Sequence, residues 1–117
     1  MKLNVTERIT LLHVLGPLTG SILEIRTIRE LRELLSFSDY EREHLSMSYI
    51  QDEKGNNTGV TWDHTKDEPM ELALTDSHRE IISKELKKLD AQHKLEERHL
   101  PVWDKFVGSP KEDKQNE

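Results

Sequence analysis

Cysteine is absent from the chain. That excludes a disulfide framework, a thiolate zinc site and a cysteine nucleophile together. Aromatic residues are scarce, at 5%, so each one marks a position worth placing. No apolar run approaches the about 20 residues that cross a bilayer, and Met1-Lys2-Leu3-Asn4 leads into a polar helix start without an apolar signal core. The expectation is a cytoplasmic protein with no membrane partner. There is no Gly-x-Ser-x-Gly around any serine and no glycine loop followed by Gly-Lys-Ser/Thr, so the serine-hydrolase and phosphate-loop signatures are both missing.

Apolar side chains are also in short supply. Hydrophobic residues make up 33% of the 117 residues and charged ones 34%, where about 45–50% apolar is usual with glycine counted. A core this thin gains from self-association, so a homo-oligomer is expected. The length suits a single domain over 1–107. From Gly108 to Glu117 no apolar residue occurs, which predicts a disordered tail over 108–117.

What is present is periodic. Asn4 and Glu7 have capping-box spacing before Ile9, Leu12 and Leu15, and Gly16-Pro17 closes that helix. Ile22, Ile25, Ile28, Leu31 and Leu35 form a helical stripe, with Arg26–Glu30 and Arg29–Glu33 spaced to pair on the opposite face. Ser38 and Glu41 repeat the capping box, with Phe37 placed as a staple for a short helix over 39–45. The period then falls to two. Met47, Tyr49 and Gln51 share one strand face and Val60, Trp62 and His64 another, around the turn-rich segment 52–59. A third strand is expected at 69–74. Thr75 or Asp76 caps a helix with Ile81, Ile82, Leu86 and Leu89 inward, and a last helix begins close to Pro101. The fold class is therefore α+β: about five helical segments with a small antiparallel sheet, made of a hairpin over 46–64 and the strand at 69–74.

Charge is uneven. Residues 36–76 carry three basic and ten acidic side chains, whereas 1–35 and 77–107 each sum to +1 within a total of −6. An acidic block repels nucleic acid. Three helices followed by a hairpin is the order of a winged helix-turn-helix. The third helix, however, holds Asp39, Glu41 and Glu43 against Arg42, the wrong sign for a phosphate-lined groove. A degenerate winged-helix regulator is thus an alternative, with nucleic acid an unfavoured partner. A small metal-dependent hydrolase built on Asp63, His64 and His78 is another, although no His-x-His or helical i, i+4 histidine pair supports metal binding. No catalytic residue, metal or cofactor is assigned.

Two sets of residues are left as binding candidates. In an assembly, Arg26, Arg29 and Arg32 with Lys84, Lys87 and Lys88 could line a pocket for a small anion such as a nucleotide. Tyr49, Trp62 and Trp103 are candidates for contact with a protein partner, since aromatics dominate interface energetics; core packing is the competing role for both tryptophans. Val5-Thr6-Glu7-Arg8-Ile9, Leu15-Gly16-Pro17 to Gly20, Arg29-Glu30-Leu31-Arg32, Ser36-Phe37-Ser38 with Glu41, Trp62, Lys87-Lys88-Leu89-Asp90 and Lys94-Leu95 together resemble a type of small accessory protein found in phage and prophage genomes. No reaction is established for that type, so no functional residue carries over. The resemblance implies a context: a phage protein that inhibits or sequesters a host component.

Overall fold

The computed structural model describes residues 1–16 and 19–108. The tail expected to be disordered falls, beyond Gly108, on residues 109–117, outside the described residues; Pro17 of the predicted Gly16-Pro17 stop lies outside them too. In chain order the elements are β1 (Lys2–Leu3), α1 (Val5–Val14), α2 (Ile22–Leu35), α3 (Asp39–His44), β2 (Ser48–Gln51), β3 (Asn57–Thr61), β4 (Met70–Glu71), α4 (Asp76–Ala91) and α5 (Leu100–Phe106), with single 3-10 turns at His64–Lys66 and Glu97–His99. The fold is α+β. By contact the chain divides into two compact units, residues 1–36 with 70–117, and residues 37–69.

The first unit holds the core. Leu3, Leu11, Val14, Leu15, Leu31, Leu35, Leu72, Leu74, Ile82, Leu86 and Val102 form one buried cluster. α1 is set by the expected box: the Glu7 N–H donates to Asn4 Oδ1 at 2.8 Å and the Asn4 N–H donates to Glu7 Oε1 at 3.0 Å. Glu7 itself is buried, and Lys105 of α5 meets its carboxylate at 2.7 Å, which supplies the counter-charge a buried carboxylate requires. α2 opens on a similar box, Ser21 with Glu24. α4 starts at Thr75, but its third residue is a histidine. The Thr75 N–H donates to His78 Nδ1 at 3.1 Å, and the His78 N–H donates to Thr75 Oγ1 at 3.2 Å.

Two arginines close helix ends from a distance. Arg8 is buried, and its Nε donates to Leu35 O at 3.1 Å and its Nη2 to Ser36 O at 2.6 Å, at the end of α2. Arg32 Nε donates to Leu15 O at 2.9 Å, and its Nη2 donates to Leu15 O and Gly16 O. The last carbonyls of a helix have no partner within it, so each guanidinium satisfies acceptors that would otherwise be left over.

The third strand forms in a different place from the hairpin. Met70–Glu71 pairs antiparallel with Lys2–Leu3, in the register Lys2↔Glu71 and Leu3↔Met70. The N-terminal ammonium reinforces the pairing through Glu71 Oε1 at 2.6 Å. Among the described residues the strands thus form two separate two-stranded sheets. A two-residue strand has no period to read, and its partner lies some seventy positions away.

Residues 37–69 are organised by local bonds. Ser38 and Glu41 make the expected capping box. β2 and β3 form the expected hairpin, with Tyr49 opposite Val60 and an irregularity after Ile50. At its tip, Asp52 Oδ1 accepts from the backbone N–H groups of Lys54 and Asn56, both at 2.9 Å, while Gly55 takes a φ of 83°. A left-handed turn position of that kind suits glycine.

Candidate interaction surfaces

The six basic candidates have three different fates. Arg32 is occupied with the end of α1, so it is a structural residue. Arg26 and Arg29 lie on the exposed side of α2, Arg29 pairing with Glu33 at 3.8 Å. Lys84, Lys87 and Lys88 share one face of α4, where with Glu80, Ser83 and Ala91 they line a shallow depression of about 550 Å³. Lys84 reaches Glu24 of α2 at 3.5 Å and Lys88 reaches Glu85 at 3.2 Å. Exposed pairs of this kind contribute little, and they leave the lysines available to a competing anion.

The aromatic candidates are separate positions. Tyr49 is exposed on β2. Trp62 is half-buried, its ring tilted against His64 at 4.6 Å, and its Nε1 meets no acceptor among the described residues. Trp103 is half-buried and packs against the core of the first unit.

The residues of the hydrolase alternative already have structural work. Asp63 Oδ1 accepts from the Thr65 hydroxyl at 2.6 Å and the Thr65 N–H at 3.0 Å. His64 lies against Trp62. His78 is buried, with Nδ1 in the α4 cap and Nε2 3.6 Å from Glu30 Oε2. Among the described residues no three His, Asp or Glu side chains come together to hold a metal.

Among the described residues, four carboxyls are held below the usual carboxylate range. Backbone and hydroxyl hydrogen bonds from Ser21 do this for Glu24, helped by Lys84. The backbone of Asn56 does it for Asp52, Thr65 for Asp63, and the N-terminal ammonium for Glu71. A general acid working near neutral pH needs the opposite shift. For α3, the side chains Asp39, Glu41, Glu43 and Arg42 keep the acidic balance that disfavours a nucleic-acid groove.

Two surfaces escaped the sequence reading. The first is the start of α2. Ile22 and Ile25 were expected in the buried stripe, yet they face out, together with Leu23: Ile22 is 70% exposed and Leu23 72%. Only Ile28, Leu31 and Leu35 of that helix are buried hydrophobics, because α2 packs on α1 and α4 through its second half. The signal was Leu23, an aliphatic residue off the stripe beside Ile22. The second is a groove of about 300 Å³ lined by Asp90, Leu95, Glu96, His99, Leu100 and Trp103. It forms where α4 ends and α5 begins. His93 takes a left-handed φ of 56° there, and the Lys94 N–H closes back on Leu89 O at 2.9 Å. Pro101 sits in the first turn of α5, where its missing N–H costs nothing.

No helix among the described residues is long and apolar enough to cross a membrane. No protein-family model, no curated protein and no solved structure matches this chain.

Proposed function

We propose that this chain is a non-enzymatic interaction protein that works as a homo-oligomer, with the first half of α2 as the surface its copies share. One observation carries the reading: Ile22, Leu23 and Ile25 stand exposed within about one turn of a helix whose other half is buried. Single exposed aliphatics are ordinary on any surface. Three together, on a chain with only 33% hydrophobic residues, make a patch that a second surface stabilises by covering. Arg26, Arg29, Glu30 and Glu33 beside it provide charges of both signs for a polar rim.

The resemblance to phage accessory proteins supplies the setting. The assembly acts in the host cytoplasm by holding a host component, either a protein or a small anion. An anion would be met by Lys84, Lys87 and Lys88 together with Arg26 and Arg29. Catalysis has less support, since the shifted carboxyls are all shifted away from proton transfer at neutral pH.

Light scattering coupled to size exclusion tests the shared surface. The chain should elute at a multiple of its single-chain mass. Leu23→Glu should bring it to the single-chain mass with unchanged far-UV circular dichroism. A wild-type chain that stays monomeric at millimolar concentration would sink the oligomer.

A further inference from the structure

The groove between α4 and α5 offers three features to one kind of ligand. Its walls are apolar: Leu95, Leu100 and Trp103 line it, and Leu100 is well exposed. Its charge is of one sign. Asp90 and Glu96 are among the lining residues, which include no lysine or arginine. Asp90 has no cationic partner among the described residues, while Glu96 shares its charge with Arg98 at 3.2 Å. The third feature is a hydrogen-bond donor. His99 is only 5% exposed, and its Nδ1 accepts from the Glu96 N–H at 2.8 Å. An imidazole that accepts at Nδ1 in its neutral form carries its proton on Nε2. That Nε2–H meets no acceptor among the described residues, and the ring borders the groove. The Nε2–H is therefore a donor open to whatever occupies the groove, while the rest of the ring is held by burial and the Nδ1 bond.

We infer that this groove is a recognition site for a short peptide segment of a partner protein, one with a large apolar side chain flanked by Lys or Arg. The apolar side chain fills the space beside Trp103 and Leu100. A backbone carbonyl of the peptide accepts from His99 Nε2–H. The flanking cation lies over Asp90 and Glu96. At about 300 Å³ the groove lies at the lower bound of ligand sites and has room for one large anchoring side chain. An acidic rim around an apolar floor selects basic sequences mainly by repelling acidic ones. The site deepens the reading of this chain as an interaction protein and rests on it. It does not use the α2 surface, so the two fail separately.

The test is a ¹H–¹⁵N NMR titration of the full chain with three acetylated, amidated tripeptides: Lys-Trp-Lys, Glu-Trp-Glu and Lys-Ala-Lys. Lys-Trp-Lys should move the Leu95, Leu100 and Trp103 signals and shift His99 Nε2–H downfield. Replacing the flanking lysines by glutamates should weaken binding by about fivefold or more, the upper end of one exposed ion pair. Lys-Ala-Lys should leave these signals in place. Asp90→Lys and Leu100→Lys alter exposed positions and should keep the fold; each should weaken Lys-Trp-Lys by a similar factor. Equal binding of the acidic and basic tripeptides overturns the assignment, as does a shift pattern that avoids the groove. Movement of the Trp103 and His99 signals on dilution of the protein alone would mean that a second copy fills the groove, and the peptide assignment is then wrong. Loss of the α2-mediated oligomer with retained peptide shifts would leave this site standing.

Discussion

Among the described residues, eleven buried aliphatic side chains meet in one cluster in the unit formed by residues 1–36 and 70–117, whereas in residues 37–69 Leu45 alone is a buried hydrophobic. Charge divides the same way. Residues 37–69 carry three basic and eight acidic side chains; the rest of the chain carries fourteen and fifteen. The larger unit is nearly neutral and is held by burial, to which every packed methylene adds. The smaller is acidic and is held by caps, a two-stranded ladder and aspartates that fold back on their own backbone. An isolated hairpin is marginal in water, so the two regions should answer differently to the same insult.

The comparison is most exposed in paired truncations. Leu31→Ala in the larger unit should cost about 2–5 kcal/mol, read from urea unfolding. Ile50→Ala, on the exposed hairpin, should stay within about 0.5 kcal/mol. Equal costs would break the contrast. Arg8→Met should come next, at about 1.5–3 kcal/mol, because it strips charge-assisted bonds from the Leu35 and Ser36 carbonyls. A smaller loss, about 0.5–2 kcal/mol, should follow His78→Ala, which removes one half of the α4 capping box. In hydrogen exchange it should appear first as fraying of the first turn of α4.

The smallest effect is local and acid-dependent. Asp52 in the folded chain titrates below its ordinary value of 3.8 because backbone N–H groups donate to its ionised form. Its contribution is complete above that ordinary value and disappears as the pH falls through the lowered one. Amide protection of Lys54 and Asn56 should therefore drop below about pH 4, with Ile82 and Leu86 still protected. Simultaneous loss at both places would mean that the hairpin tip and the core unfold as one.

Much of this was legible in advance. Asn4 with Glu7 and Ser38 with Glu41 announced helix starts, because capping chemistry is confined to four consecutive residues. Ile82 and Leu86 announced a buried helix face. The inversion of Ile22 and Ile25 was not legible: a stripe shows that a helix has an apolar side, and tertiary packing decides how much of it is covered. The pairing of Lys2–Leu3 with Met70–Glu71 and the reach of Arg8 and Arg32 to distant carbonyls depend on positions brought close only by the fold. The α4–α5 groove is of the same kind. Its six residues read along the chain as a helix end, a turn and a helix start, and their convergence depends on the reversal at His93.

Arg8 has one more consequence. Its guanidinium touches the Ser36 carbonyl at 2.6 Å and Met70 Sδ at 3.7 Å, the last and first residues of the larger unit on either side of residues 37–69. The chain thus leaves and re-enters the larger unit within the span of one side chain. To that unit, the 33 residues between are an insertion whose two ends lie side by side. Closing the chain between those two ends costs only slowly more as the connecting segment lengthens, so the length of the insertion is loosely constrained by the larger unit. Variation in this protein has a natural cassette, with its seam at Ser36 and Met70.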